Sequence, residues 1–380
     1  MVVGLALVSA LSSAAIHFLV PALPALSKDL QVSASVAQYA VSVYLFGLAA
    51  GQLLAGPLVD GIGRRPVLIA GLCTYVLGAT LAASAQSIWM LCACRALQSL
   101  GAGAGLVTAR VIVNDVSAPA EAGRGQAGLM AVVLISPALA PVAGGYLAAA
   151  SGWRAIMAVQ AGAALLGLVF AWRAVSETMA RNGPRSTPGL APYGRLVRNA
   201  RYLRTVMAIS LCSSALYIFL AGAPFVLVDQ WSYSARDAGL FFLLTAVTAI
   251  GGTALVGALE QRVDTFRLGL AVCLVGALLA VLCSRLDGSW WGYLILPVSI
   301  VTFGVGIAGP SGTARILHSE PGLAGTAASV SGAFQMCIGG LAASVVGMLA
   351  EPAFGVLATA MIVAIGGAFL LAPQSKPVTG

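Results

Sequence analysis

Twelve apolar stretches of about 20 residues divide the chain, each the length a helix needs to cross a hydrocarbon layer of ~30 Å. They lie near residues 3–25, 34–56, 66–86, 89–112, 126–149 and 153–173, then near 204–228, 238–258, 266–284, 290–313, 325–349 and 354–373. Inside a bilayer every backbone N–H and C=O must find a partner within the protein, so runs of this length become helices. Composition supports this, since 59% of the 380 residues are hydrophobic and only 8% are charged, against about 25% charged in soluble domains. The run from Val2 to Leu26 is longer than the ~7–15 apolar residues of a cleaved leader, and it is read as the first span. The expectation is an all-α membrane protein of twelve transmembrane helices in two six-helix halves, residues 1–173 and 204–380. Residues 174–203, with Arg181, Arg185, Arg195, Arg198 and Arg201 among Pro184, Pro188 and Pro192, read as a cytoplasmic linker with an amphipathic piece near Tyr193–Tyr202.

The formal charge of +8 does not point to nucleic acid, because its distribution follows the membrane. With both termini inside, Arg64, Arg65, Arg124, Arg173, Arg181, Arg185, Arg195, Arg198, Arg201, Arg204, Arg262, Arg267, Arg315 and Lys376 fall on cytoplasmic loops. Only Lys28, Arg154, Arg236 and Arg285 fall on the other side. Basic residues mark the cytoplasmic face, so a multi-pass protein of the plasma (inner) membrane with cytoplasmic termini is expected. The seven cysteines lie mostly in apolar runs and read as small hydrophobes. No phosphate-binding loop and no metal-ligand cluster within the spans is present, so neither an enzyme, a cofactor nor a metal is expected.

Gly56 to Gly71 forms a short charged segment between two charge-free runs. Gly56, Pro57, Gly61 and Gly63 are expected to reverse the chain there at the membrane surface. Asp60 and Arg64, four apart, are placed to pair locally, and Asp115 at the end of the fourth span offers Arg64 a second partner. Shifted by 201 residues, the segment beginning Gly257-Ala-Leu-Glu-Gln-Arg-Val-Asp overlies it weakly, at the same junction of the second half. That copy lacks the acid and the paired arginines, so any latch is expected on one side only. Repeated halves joined by a linker suit a transporter that holds its substrate between them.

Several stretches resemble the major facilitator superfamily, and within it the Bcr/CflA branch of drug:proton antiporters. The charged segment is similar to the superfamily's loop signature. His17-Phe-Leu-Val-Pro-Ala-Leu-Pro resembles the branch's double-proline first span, and Arg95-Ala-Leu-Gln-Ser-Leu-Gly, continuing to Asp115, resembles its arginine motif. Ala140-Pro-Val-Ala-Gly-Gly with Gly152-Trp-Arg is similar to the antiporter motif, and Ala324-Gly-Thr-Ala-Ala-Ser to the start of the eleventh span. The resemblance implies the major facilitator fold, a proton gradient as energy source, a gating role for Asp60, Arg64, Arg65 and Asp115, and bending at Pro141, Gly144 and Gly145.

Arg95 stands about 10 Å deep from the near face, and His17 comes out at the same level when counted from the other. A charge at that depth costs roughly 2.5–3.5 kcal/mol on insertion scales and faces a cavity or a partner. The branch commonly has an aspartate where this chain has His17, and none of its twelve acidic residues falls within a span. Two expectations follow. His17 carries the proton, as imidazole titrates near neutrality, or Arg95, helped by Arg110 and His17, meets an anionic or zwitterionic substrate group. Tyr39, Tyr44, Tyr217, Phe334 and Gln335 are further candidates for lining an amphiphilic site. The function expected is proton-driven export of small amphiphilic compounds by alternating access, as a monomer in the lipid bilayer. A proton-coupled importer, or an exporter dedicated to an anionic or zwitterionic metabolite, is the alternative.

Overall fold

The structure is a computed structural model that describes residues 2–116, 122–178, 191–259, 262–286, 290–317, 324–349 and 353–373. The described residues are helical nearly throughout and contain no strand. Eleven helical stretches among them are long and apolar enough to cross a membrane. One of these, Leu139–Ala174, contains a break. It belongs to helix α7 (Ala122–Ala174), in which Gly152 leaves helical geometry at φ 77° and ψ 171°, so two legs meet where the sequence places the boundary between the fifth and sixth spans.

The chain forms two compact units, Met1–Val32 with Tyr39–Gly189, and Ser33–Gln38 with Leu190–Gly380. The first contains α1 (Val2–Leu19), α2 (Leu23–Asp29), α4 (Tyr39–Ile62), α5 (Arg64–Ala83), α6 (Ile88–Val116) and α7; the four-residue α3 (Ala34–Ala37) belongs to the second. Pro21 and Pro24 lack the N–H that would continue α1, and a 3₁₀ turn, Val20–Ala22, joins it to α2. The second unit also contains α8 (Ala191–Arg198), α9 (Ala200–Phe225), a π turn at Val226–Gln230, α10 (Ala235–Leu259), α11 (Thr265–Cys283), α12 (Gly292–Leu317), α13 (Ala324–Leu349) and α14 (Phe354–Leu371). Within the expected linker, residues 179–190 lie outside the described residues, while α8 buries Leu196 and exposes Arg195 and Arg198.

The expected reversal over Gly56–Gly63 is much tighter than the glycines suggest. Helix α4 runs through Gly56, Pro57 and Gly61 to Ile62, and the chain turns on Gly63 alone, at φ 117°. Only that residue adopts a backbone angle that favours glycine. A Cβ there would also lie 2.6 Å from Glu177 Oε2. Asp60 and Arg64 therefore sit on different helices, not one turn apart on the same one, and the side chain of Asp60 lies outside the described residues.

Candidate functional site

The first unit has a buried polar centre built on Arg95. Helix α6 carries Arg95 about two turns into its span, with the whole side chain shielded from solvent. Its Nε donates to the Ala40 carbonyl at 3.3 Å, Nη2 to the Ala15 carbonyl at 3.2 Å, and Nη1 to Gln98 Oε1 at 2.9 Å. The guanidinium lies over the Tyr44 ring, 4.0 Å from its centroid. Each charge-assisted hydrogen bond is worth about 1.5–3 kcal/mol, so two of them match the insertion cost of about 2.5–3.5 kcal/mol. Arg95 is thus held by neutral groups, and no carboxylate lies in ion-pair reach of it among the described residues.

The centre extends through amides that the sequence reading did not single out. Gln98 Nε2 donates to Gln160 Oε1 at 2.8 Å, and Gln160 Nε2 points back to the Ala15 carbonyl at 3.5 Å. Both glutamines are buried. Tyr44 Oη donates to the Ser12 carbonyl at 3.1 Å and Tyr75 Oη to the Leu11 carbonyl at 3.4 Å. Helix α1 therefore serves as a line of backbone acceptors, using the second lone pair of carbonyls already engaged in the helix. The signals for the glutamines were present. Gln98 is one turn from Arg95, at the i, i+3 spacing that brings side chains together, and Gln160 is a solitary amide inside an apolar run.

His17 stands at the expected level, two residues after the Ala15 carbonyl that Arg95 reaches, yet it is not bonded to Arg95. Its Nδ1 donates to the Ser13 carbonyl at 2.8 Å. A carbonyl only accepts, so this bond fixes the proton on Nδ1 and leaves Nε2 as the basic nitrogen. Arg110 does not join the centre either. It is half-buried on the same continuous helix, about 22 Å beyond Arg95 at about 1.5 Å per residue, too far to share a ligand's charged group. Tyr39 stacks on Trp89, with ring centroids 6.4 Å apart, and Trp89 is largely exposed. Tyr39 thus belongs to an aromatic pair at the start of α6, whereas Tyr44 joins the buried centre.

In the second unit Tyr217 and Gln335 share the seam between α9 and α13. Tyr217 Oη approaches Met336 Sδ at 3.5 Å, and Ser213 Oγ donates to Gln335 Oε1 at 3.2 Å. Gln335 Nε2 donates to Ser331 Oγ at 3.2 Å. Phe334 is half-buried beside them on α13.

A second cluster of the first unit gathers around Gly63. Arg64 Nε donates to Asp115 Oδ2 at 2.9 Å and Arg64 Nη1 to the Val59 carbonyl at 3.1 Å. Arg65 Nη2 donates to the Trp172 carbonyl at 2.9 Å, and Thr178 Oγ1 to Asp115 Oδ2 at 2.9 Å. Glu177 accepts from the backbone N–H groups of Arg64, at 3.0 Å, and Arg65, at 3.2 Å. It thereby caps α5, whose own cap residue Gly63 has no side chain to do so. That missing cap was the sequence signal for Glu177, but nothing along the chain says which carboxylate supplies it. At the other end of the unit Asp29 accepts from Trp153 Nε1 at 3.0 Å and pairs with Arg154. Pro141, Gly144 and Gly145 are buried on α7, and a Cβ on Gly144 would lie 2.0 Å from the Phe18 carbonyl. Helices α1 and α7 are therefore in backbone contact at that glycine.

A family profile described as Major Facilitator Superfamily matches residues 5–347. The chain is 28% identical over 357 residues to Multidrug resistance protein D of Escherichia coli (strain K12), covering 90% of this chain and 87% of that one. It is 25% identical over 355 residues to a Bicyclomycin resistance protein homolog of Haemophilus influenzae, covering 91% and 88%. The crystal structure of a D-xylose-proton symporter superposes with a TM-score of 0.76 at 14% identity, over 100% of this chain and 98% of the other.

Proposed function

Because this chain belongs to the Major Facilitator Superfamily, and is thus a multi-pass membrane transporter and not an enzyme, we propose that it exports small amphiphilic organic compounds by alternating access in exchange for protons. Its place is the plasma (inner) membrane, as a monomer with both termini cytoplasmic. The observation that carries the reading is the buried centre of the first unit, in which a cation, a tyrosine ring and two amides meet amid apolar spans. A few polar fixtures in an apolar setting suit an amphiphilic organic molecule. Similarity to relatives named for multidrug and bicyclomycin resistance supports this substrate class.

Proton coupling here runs without the acid that the family resemblance leads one to expect. His17 Nε2 takes the proton, and its ring and Arg95 hang from the same stretch of α1, on the Ser13 and Ala15 carbonyls. Protonation adds a second positive charge on the stretch of α1 from which Arg95 hangs. A cationic or neutral compound then leaves as the proton arrives, because the second charge repels the first kind and draws in water that displaces the second. Arg64, Arg65, Asp115 and Asp60 act in gating, with bending of α7 at Pro141, Gly144 and Gly145.

One observation favours a second reading, an exporter dedicated to an anionic or zwitterionic compound. Among the described residues Arg95 has acceptors for three of its five N–H donors and no carboxylate in ion-pair reach, so a substrate carboxylate fits it. A tolerance panel in cells expressing the protein decides between the two. Raised tolerance to cationic or neutral amphiphiles, lost in Arg95→Ala, supports the first reading. Protection confined to acids and zwitterions supports the second, and protection against nothing on the panel, with the protein present in the membrane, argues against both.

A further inference from the structure

Each half ties its third helix to its fourth by an ion pair, and the two pairs have opposite polarity. In the first unit Arg64 at the start of α5 meets Asp115 near the end of α6 at 2.9 Å. In the second, Asp264 at the start of α11 meets Arg315 near the end of α12 at 2.5 Å. Arg64 opens α5 and Asp264 is the residue just before α11, while Asp115 and Arg315 lie in the last turns of α6 and α12, so the two pairs join the same helix ends with their charges reversed. A tie to the last helix of the half recurs as well. Arg65 donates to the Trp172 carbonyl at the end of α7, and Arg315 Nη1 donates to the Pro373 carbonyl just past α14, at 3.3 Å. The sequence expectation of a latch on one side only is therefore wrong: matching like charge to like charge hides a counterpart of inverted sign.

The second pair is fixed from several directions. Asp264 Oδ1 also accepts from the Arg267 N–H, capping α11, and the Arg315 guanidinium lies 5.1 Å from the Phe266 ring centroid. Both side chains are three-quarters or more shielded, at 25% and 18% exposure, unlike the open surface pairs whose contribution is near nil. One residue in this half combines the roles that Arg64 and Glu177 divide in the other, pairing across to the fourth helix and capping the third.

We propose that Asp264 and Arg315 are positioning residues for transport, a charge-reversed counterpart of Arg64–Asp115 that holds the ends of α11, α12 and α14 together so that this half moves as one body. What the device requires is the pairing and not the sign at either position. The proposal rests on the transport reading, and its test separates the two. Wild type, Asp264→Asn, Arg315→Gln and the exchanged double variant Asp264→Arg/Arg315→Asp are assayed for transport in vesicles and for thermal melting of the purified protein. The single variants are expected to lower the maximal rate by at least about tenfold, the factor of a 1.4 kcal/mol barrier, with KM within about twofold of wild type. The exchanged variant is expected to recover to within about threefold in rate, and to recover part of the melting temperature that Arg315→Gln loses, short of wild type because the exchange removes the Asp264 cap of α11. If the singles do not accumulate, an exchanged variant that does accumulate and transport supports the proposal equally. Singles that transport like wild type, or an exchanged variant as defective as the singles, overturn it. Absence of transport by wild type refutes the transport reading instead, and the melting temperatures then decide the pairing alone, recovery by exchange supporting it and no recovery overturning it.

Discussion

Replacing Gln160 by leucine tests whether the amides position Arg95. The side chain is buried on the second leg of α7 and its Oε1 accepts from Gln98 Nε2 at 2.8 Å. Leucine keeps the volume but offers no acceptor, so a buried amide N–H of Gln98 loses its partner. That costs about 1–3 kcal/mol in protein interiors, whereas measured side-chain bonds between membrane helices average about 0.6 and reach about 1.7 kcal/mol. A value of about 1–1.7 kcal/mol corresponds to roughly a 5- to 17-fold loss. Gln98 is the only side chain that Arg95 is hydrogen-bonded to among the described residues, so turning it away releases Nη1 and the loss falls on transport. The assay is initial-rate transport in vesicles, normalised to folded protein, for Gln160→Leu, Gln98→Leu and the double variant. The double variant should be no worse than the poorer single, because the residues act as one chain. Rates within twofold of wild type for Gln160→Leu, or losses that multiply in the double variant, would refute the relay.

His17→Ala should abolish the dependence of transport on the pH gradient while leaving substrate exchange without a gradient intact; coupling that persists would move the proton elsewhere. Gly144→Leu, whose Cβ would meet the Phe18 carbonyl at 2.0 Å, should cost about 1–3 kcal/mol by overpacking, read as a lower melting temperature and a slower rate, and an unchanged melting temperature would contradict the backbone contact. Glu177→Gln removes a negative charge from the N-terminus of α5 and should cost about 0.3–1 kcal/mol; hydrogen exchange at the Arg64 and Arg65 amides should speed up accordingly.

The fold was legible because bilayer-length apolar runs leave few alternatives, and the break at Gly152 falls where the residues place it. The turn at Gly63 was not, since four helix-disfavouring residues within eight positions do not show which one the chain turns on, and α4 runs through Pro57. Among the site residues, Arg95 and Tyr44 come together because a deep charge must find a ring or an acceptor. The expected company of His17 and Arg110 failed for different reasons. His17 is satisfied one turn back on its own helix by the Ser13 carbonyl, a partner every helix offers and no sequence pattern marks. Arg110 shares a span with Arg95, but the rise of a continuous helix separates them. Glu177 and Gln160 act on residues more than 60 positions away, a distance over which sequence spacing carries no geometric information.

The measurement that bears most directly on the whole account is uptake of a tolerated compound into inside-out vesicles with an acid interior, by wild type and by Arg95→Ala. The account predicts uptake by wild type that stops when a protonophore collapses the gradient, and a rate at least about tenfold lower for Arg95→Ala. Uptake by wild type that ignores the gradient, or equal gradient-driven uptake by both proteins, would contradict it.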